Sequence, residues 1–555
     1  MSNDFKKVKI LDDRLMTTSE INYGVLVGGS NITTQVYSAI SKSTSSISFN
    51  IQVESESQIL DRRVLMRNTY KIKVSGNCPA GERLLTFGAN CGLGAFPVSS
   101  SFSTMSATIN NSTVNSQVAD LLPMLLKQMS KEDLGYYGSM CPVQSDYYAD
   151  YNNADKSFNS PFGDYTNTSS INPNGAFVLD FVAGNTLNAT GGVVNKDVEI
   201  TFTTTEPLFC SPFIFGNPSS NTAGIYGLQS LSFAFQIGNV NRVFRTTRAV
   251  AVSLLEVQKS ELILNYLSVP PSMLMPSRNI VPYYNLPIYK DVIQTPILAG
   301  QTVKLQSPAL SLNMIPDKMF VFCRKINKLP TDPDSFLPIK NISLQVFNAA
   351  GIMSSCVQQN LFHISKENGY EGSWLDFSGR ALKTSATDVP TYIQTSGSVL
   401  TLAFSKDIPL EPFYSAGSLC NMSLQYSIDV VNYGAGDINA STYELCLVVM
   451  NSGILSLEKG TSQIYTGILS KSDVLDTLNQ EAYSQNEVKR LVGGGWFDQL
   501  KSIVGKVGPK LLPVARSLLE KSDNDYAKKT GAVLKAVGYG ETGAGKTGGK
   551  LSSRV

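Results

Sequence analysis

The sharpest chemical motif in the chain is Gly540-Glu541-Thr542-Gly543-Ala544-Gly545-Lys546-Thr547, a letter-for-letter G-x-x-x-x-G-K-T phosphate loop. Such a loop holds phosphate only where it turns from a buried strand into a helix whose first amides face the anion. Here Gly548-Gly549 follow at once and the sequence reaches Val555 without room for that helix, so a flexible Gly/Lys tail is expected and not a nucleotide site. The one histidine, His363, falls in the apolar-patterned stretch 357–365 and reads as a packing residue. Histidine-based metal sites and Ser-His-Asp chemistry then lack their material. Carboxylates are thinly spread, and Asp332-Pro333-Asp334 and Asp12-Asp13 read as turn or terminal residues, not as an acid/base pair. The cysteines (Cys78, Cys91, Cys141, Cys210, Cys323, Cys356, Cys420, Cys446) show no Cys-x-x-Cys and read as buried reduced thiols. No cofactor, no metal and no enzyme activity are expected.

Residues that do no chemistry dominate the pattern instead. Ile47, Phe49, Ile51 and Val53 alternate with Ser48, Asn50 and Gln52, the period of a strand buried on one face. Tyr70, Ile72 and Val74 alternate with Lys71 and Lys73, and the device returns at Leu231–Ile237 and Met422–Ile428. Further strands are expected at 105–114 around Asn110-Asn111, 176–182, 198–204 and 249–255. In the second half they fall at 304–310, 318–323, 342–347, 399–404, 422–430 and 443–449. Helices are expected at 117–129, weakened by Pro123, and at 357–365. The Tyr-, Asn- and Gly-rich stretch 135–173 reads as a long loop. Each half adds up to a sandwich of roughly eight strands with jelly-roll or Greek-key wiring.

The chain is therefore all-β: an N-terminal arm (1–43), a first sandwich (44–256), a linker (257–275), a second sandwich (276–460), a helical connector (461–494) and a basic tail (495–555). Charged residues make up 16% of the whole, well below the roughly 25% usual in soluble domains. Much of the surface is thus uncharged and polar, as suits a protein flanked by copies of itself. The N-terminus lacks the apolar core of a signal peptide and no 18-residue apolar run occurs, so synthesis in the cytosol without a membrane span is expected. The arm holds no Arg-rich block of the kind that neutralises packaged RNA.

Charge is uneven. Residues 491–555 carry eleven Lys/Arg against five Asp/Glu, while the rest of the chain is slightly acidic, which points the tail at an anionic partner, nucleic acid or lipid. On a helical wheel Trp496, Phe497, Leu500, Ile503, Val504, Val507 and Leu511 share one face; Lys501 and Lys506 lie off it, Lys510 sits at its edge, and Arg516 adds charge beyond. This is a basic amphipathic segment interrupted by Pro509 and Pro513.

In layout, and in the stretches ISFNIQVESESQILDRRV, FSTMSATINNSTV, EPLFCSPF with GIYGLQSLSFAF, and ISLQVFNAAGIMSSC with SVLTLAFSKDIPL, residues 40 to 450 resemble the double jelly-roll major capsid proteins of the adenovirus hexon, virophage and polinton-like virus lineage. The resemblance implies a double jelly roll, a homotrimer with pseudo-hexagonal outline, and an icosahedral virion shell around a DNA genome, with penton and minor capsid proteins as partners. It also implies that Leu491-Val492-Gly493-Gly494-Gly495 is similar to sites cut by adenovirus-type maturation proteases. The chain lacks the long tower insertions of hexons, and only 135–173 offers material for a surface protrusion. A tandem β-sandwich adhesin or carbohydrate binder shares the composition, and a single jelly-roll capsid protein of a small RNA virus with a projecting domain is a third reading.

Overall fold

The computed structural model describes residues 7–10, 23–26 and 31–467, apart from 152–176, 214–223, 269–277, 384–389, 434–440 and the single positions 54, 56, 57, 139, 148, 150, 412 and 459. Within them two β-sandwiches follow one another. In the first, a five-stranded sheet runs Ser112–Ser116, Phe102–Ile109, Ser230–Ile237, Ser46–Gln52, Ser41–Lys42. A second sheet runs Phe181–Ala183, Val194–Pro207, Leu65–Cys78, Val250–Ser268, Asn31–Ser38, with Ile59–Leu60 also on Val250–Ser268. The alternation read from sequence sets the register: Ile47, Phe49 and Ile51 oppose Phe235, Phe233 and Leu231, all buried. A slip of one residue would send this whole row to solvent. Asn110, at φ 51°, turns the hairpin between Phe102–Ile109 and Ser112–Ser116, a left-handed position that asparagine tolerates.

The second sandwich repeats the wiring of the central strands. In the first, Ser230–Ile237 lies between Ser46–Gln52 and Phe102–Ile109; in the second, Leu419–Val431 lies between Thr302–Gln306 (with Leu310–Met314) and Ile339–Val346. Leu65–Cys78 lies between Val194–Pro207 and Val250–Ser268, as Lys318–Lys325 lies between Leu400–Ala403 and Tyr443–Glu458. The helices recur as well. A hairpin and then a pair of helices, Val118–Leu125 and Lys131–Tyr137, follow Phe102–Ile109; Gln358–Glu367 and Trp374–Ser378 occupy the same place after Ile339–Val346. The second helix of each pair starts with a capping box, Ser130 with Asp133 and Ser373 with Asp376.

Several expected boundaries move. The strand expected at 249–255 continues to Ser268, through the stretch read as linker, because Leu262, Leu264 and Tyr266 keep one face buried. Asn31–Ser38, placed in the arm, pairs with Glu261–Ser268. The proline-rich crossing contains the strand Arg278–Asn285, whose Pro282 is tolerated because the strand has a partner on one side only. Thr461–Thr466, placed in the helical connector, is a strand antiparallel to Gly453–Glu458. Tyr443–Glu458 belongs to both hydrophobic cores: Leu445 to Val449 lie in the second, Leu455 and Leu457 in the first. It passes Tyr465 so closely at Gly453 that a Cβ there would stand 2.2 Å from the Tyr465 carbonyl oxygen.

Candidate functional site

Among the described residues no cluster of His, Cys, Asp and Glu could hold a metal ion. All eight cysteines are free thiols, six of them buried. His363 is not the packing residue expected of it. Its helix, Gln358–Glu367, buries Leu361 and Ser365, while His363 lies on the exposed side, its ring beside that of Phe362. The phosphate-loop motif, Gly493 to Gly495 and the tail residues Trp496 to Arg516 lie outside the described residues.

The densest polar chemistry lies at the seam between the sandwiches. Asp334 carries three cations: Arg242 at 2.7 Å, Arg245 at 2.8 Å and Lys328 at 3.1 Å. The arginines come from the first sandwich, one in the helical turn Val240–Arg242 and one in the strand Phe244–Thr246, and Lys328 and Asp334 from the loop after Lys318–Lys325. The Asp334 amide donates to Asp146 Oδ2 at 2.7 Å, and the Tyr151 hydroxyl donates to Asp146 Oδ1 at 2.9 Å. Asp334 is thus no mere turn former, whereas Asp332 is one, accepting the Leu329 amide at 2.9 Å. Tyr147 and Ala149, expected in the loop 135–173, instead stitch the sandwiches: the Ala149 amide donates to the Gln394 carbonyl at 3.0 Å and the Ser396 amide to that of Tyr147 at 2.9 Å.

A second knot lies under the helix Val118–Leu125. Pro123 cannot donate to the carbonyl of Ala119, and the Arg242 guanidinium donates to that orphaned oxygen instead. Arg324 of the second sandwich donates to the Asp120 carboxylate at 2.5 Å, to its carbonyl at 2.9 Å and to Glu444 at 2.6 Å. Leu121 and Met124 of this helix are buried in the second core, while its Val118 and Leu122 are buried in the first. Lys127 reaches Ser396 at 2.9 Å, and Gln128 reaches Thr401 at 3.0 Å.

Burial would raise the Asp334 carboxyl, but Arg242, Arg245 and Lys328 outweigh it and hold the group well below the usual carboxylate range. Burial, reinforced by the nearby arginines, brings the Lys328 ammonium down to about 8 although Asp334 pulls it up. Asp120 is likewise held low, burial being overcome by Arg324 and Lys290. A buried, charge-paired network fixes the relative placement of two bodies, although Arg242 Nε and Arg245 Nε lie buried without a hydrogen-bond partner; it does not offer an open, reactive group.

Known proteins are similar to the chain in sequence and fold. A family model described as the Sputnik virophage major capsid protein first domain matches residues 3–274, and one described as the major capsid protein V20 C-terminal domain matches residues 286–453. The chain is 28% identical to the putative capsid protein V20 of Sputnik virophage, over 99% of this chain and 95% of that one. The chain belongs to the virophage major capsid proteins. Its fold matches the cryo-electron-microscopy structure of the Sputnik virophage with a TM-score of 0.76 at 25% identity, covering 87% of this chain and 98% of that one. The crystal structure of the mavirus major capsid protein matches with a TM-score of 0.68 at 16% identity, covering 82% and 93%. The double jelly roll expected from the sequence is the observed architecture, and the protein is a structural component of a virion, not an enzyme.

The residues of the seam were the ones the sequence hid. Arg242, Arg245, Arg324, Lys328, Asp120 and Asp146 belong to no motif. The one available signal was a charge inside or beside an apolar run, Arg324 after Met319-Phe320-Val321-Phe322-Cys323 and Arg245 after Val243-Phe244.

Proposed function

We propose that this capsid protein assembles as a homotrimer of pseudo-hexagonal outline that tiles an icosahedral shell around a DNA genome. The observation that carries the reading is the repeat of the central strands: two sandwiches of like wiring, fixed side by side by a buried ion network, supply two near-equivalent wedges per chain. Three chains then give six wedges, and a head-to-tail contact whose rotation closes makes a ring. The proposed partition is two sandwiches joined between the strands Val250–Ser268 and Arg278–Asn285, with Asn31–Ser38 counted in the first sandwich and not in the arm. Mass measurement and negative-stain microscopy of the purified 60.1 kDa chain test this. Particles of three chains with a hexagonal outline support it, and monomers at every concentration overturn it.

Finer partners belong to the same proposal. The chain is made in the host cytoplasm, contacts penton and minor capsid proteins in the shell, and directs its basic tail at genome or lipid. Glycines at 493–495 suit an extended chain entering a protease cleft. Cleavage there would release a peptide with Trp496, Phe497 and Leu500 on an apolar face and Lys501, Lys506, Lys510 and Arg516 to meet anionic groups. Intact-mass analysis of mature particles beside the recombinant chain decides this: loss of residues 495–555 in particles alone supports processing, and full-length protein in both refutes it.

A further inference from the structure

Equivalent positions of the two sandwiches receive opposite treatment. In the second, Phe320, Phe322 and Arg324 alternate onto one face of Lys318–Lys325, beside Thr401 on one neighbouring strand and Glu444 on the other. The helix Val118–Leu125 of the first sandwich and the turn after it come to this face, with Asp120 on Arg324 and Gln128 on Thr401. In the first sandwich the corresponding outer face of Leu65–Cys78 carries Lys71 and Lys73, paired with Glu199 at 2.8 Å and Asp197 at 3.7 Å on the adjacent strand. Arg67 and Lys259 continue the row around Glu261. No helix of the same chain covers it among the described residues. The corresponding helix of the second sandwich, Gln358–Glu367, likewise turns outward a row at helical spacing: Gln359, Asn360, His363, Lys366 and Glu367, all exposed.

We infer that the outer helical row Gln359–Glu367 of one copy docks on the Lys71/Lys73/Glu199/Asp197 ladder of the next. The occupant is a second copy of this chain, because the same pairing of helix on sheet face already exists once inside the chain, between elements of like topology. Repeating it between chains is the head-to-tail step that closes a ring. Both surfaces carry both signs of charge, Lys366 with Glu367 on the helix and lysine alternating with carboxylate on the sheet, so each cation can find an anion across the contact. The inference rests on the trimer reading and specifies which surfaces meet.

The test uses full-length chains, ¹⁵N-labelled and unlabelled, mixed into one trimer population. A zero-length carbodiimide reagent then joins lysines to touching carboxylates, and mixed-isotope peptides report contacts between copies. Links from Lys366 or Glu367 to residues of 65–78 or 194–207 of another copy are expected. In parallel, K71E/K73E on the face and Lys366→Glu on the helix should each raise the concentration at which trimers dissociate at least tenfold. The far-ultraviolet circular dichroism of the dissociated chain should stay unchanged, because Lys366 is exposed and Lys71 and Lys73, half-buried, sit in surface pairs that contribute little to stability. Wild-type trimers whose isotope-mixed links lie elsewhere, or whose dissociation ignores all three substitutions, overturn the docking assignment and leave the trimer standing. A wild-type chain that is monomeric at every concentration removes both.

Discussion

Replacing Asp334 by asparagine isolates the contribution of the seam. The carboxylate side chain is 13% exposed, and those of Arg242, Arg245 and Lys328 are 10%, 4% and 8% exposed, so water screens little of the charge left behind. Breaking a buried pair from one side costs about 3–5 kcal/mol. Asparagine keeps an acceptor for one guanidinium, which softens the loss. Arginine cannot shed its proton, whereas Lys328 can, its ammonium already standing at about 8. The uncompensated charge therefore falls on Arg242 and Arg245. For a unit of sandwich size, about 3–5 kcal/mol lowers the melting temperature by roughly 6–20 °C. Calorimetry should show the wild type's transition moving down and splitting as the sandwiches lose their coupling. Asp332→Asn, which disturbs a turn and a partly exposed pair with Lys325, serves as control with a cost of about 1 kcal/mol or less. An Asp334→Asn melting temperature within about 2 °C of wild type, in one transition, would refute the assignment of the seam to this cluster.

Lys328 makes the seam pH-dependent in a defined direction. Its folded-state value of about 8 lies below the ordinary 10.5, so between them the unfolded chain binds more protons and stability rises with pH across that window; Lys328→Met should flatten denaturant midpoints from pH 8 to 10.5. Asp334 works at the acid end: its stabilisation is complete above 3.8 and is lost as pH falls below that toward its depressed folded value, so Asp334→Asn should abolish that part of the acid limb. Glu206, fully buried, accepts the amides of Val98 at 3.0 Å and Ser99 at 2.8 Å and the hydroxyl of Thr204 at 2.8 Å. Glu206→Ala orphans these donors and should cost about 2–5 kcal/mol by urea denaturation, with Glu206→Gln costing distinctly less. Gly397, at φ +85°, would place a Cβ 1.8 Å from the Phe336 carbonyl oxygen, so Gly397→Ala should cost more than about 2 kcal/mol and be seen as reduced soluble yield.

How much could be read from the sequence depended on whether the signal was local. Ile47, Phe49, Ile51 and Leu231, Phe233, Phe235 announce themselves because each strand has one wet and one dry face, and alternation survives in a string of letters. Lys318–Lys325 is buried on both faces, so its apolar run gave the strand but not its second partner. The far half of Tyr443–Glu458 was missed because Asn451-Ser452-Gly453 has the composition of a turn; the glycine is there for the approach of Tyr465, a contact made with a residue beyond the strand. The seam was invisible for the same reason in stronger form. Asp334 and its arginines are about ninety residues apart, and nothing in Asp332-Pro333-Asp334 distinguishes the turn former from the buried anion.

The contrast between the two sheet faces follows from when each is covered. The face bearing Phe320 and Phe322 meets its helix within the same chain, at an effective concentration that folding itself supplies, so it can be apolar without ever facing other molecules. The face bearing Lys71 and Lys73 waits for another molecule. Had it kept Phe320-like residues, the unassembled chain would expose a contiguous apolar patch on a flat sheet, the surface that drives indiscriminate association. Lysine alternating with carboxylate keeps that face soluble at little cost to the monomer, since exposed pairs contribute only about 0–1 kcal/mol each. Two sandwiches of like wiring thus diverge where their partners differ: the contact made once, during folding, is dry and welded by buried charges, and the contact made between finished chains is polar on both sides.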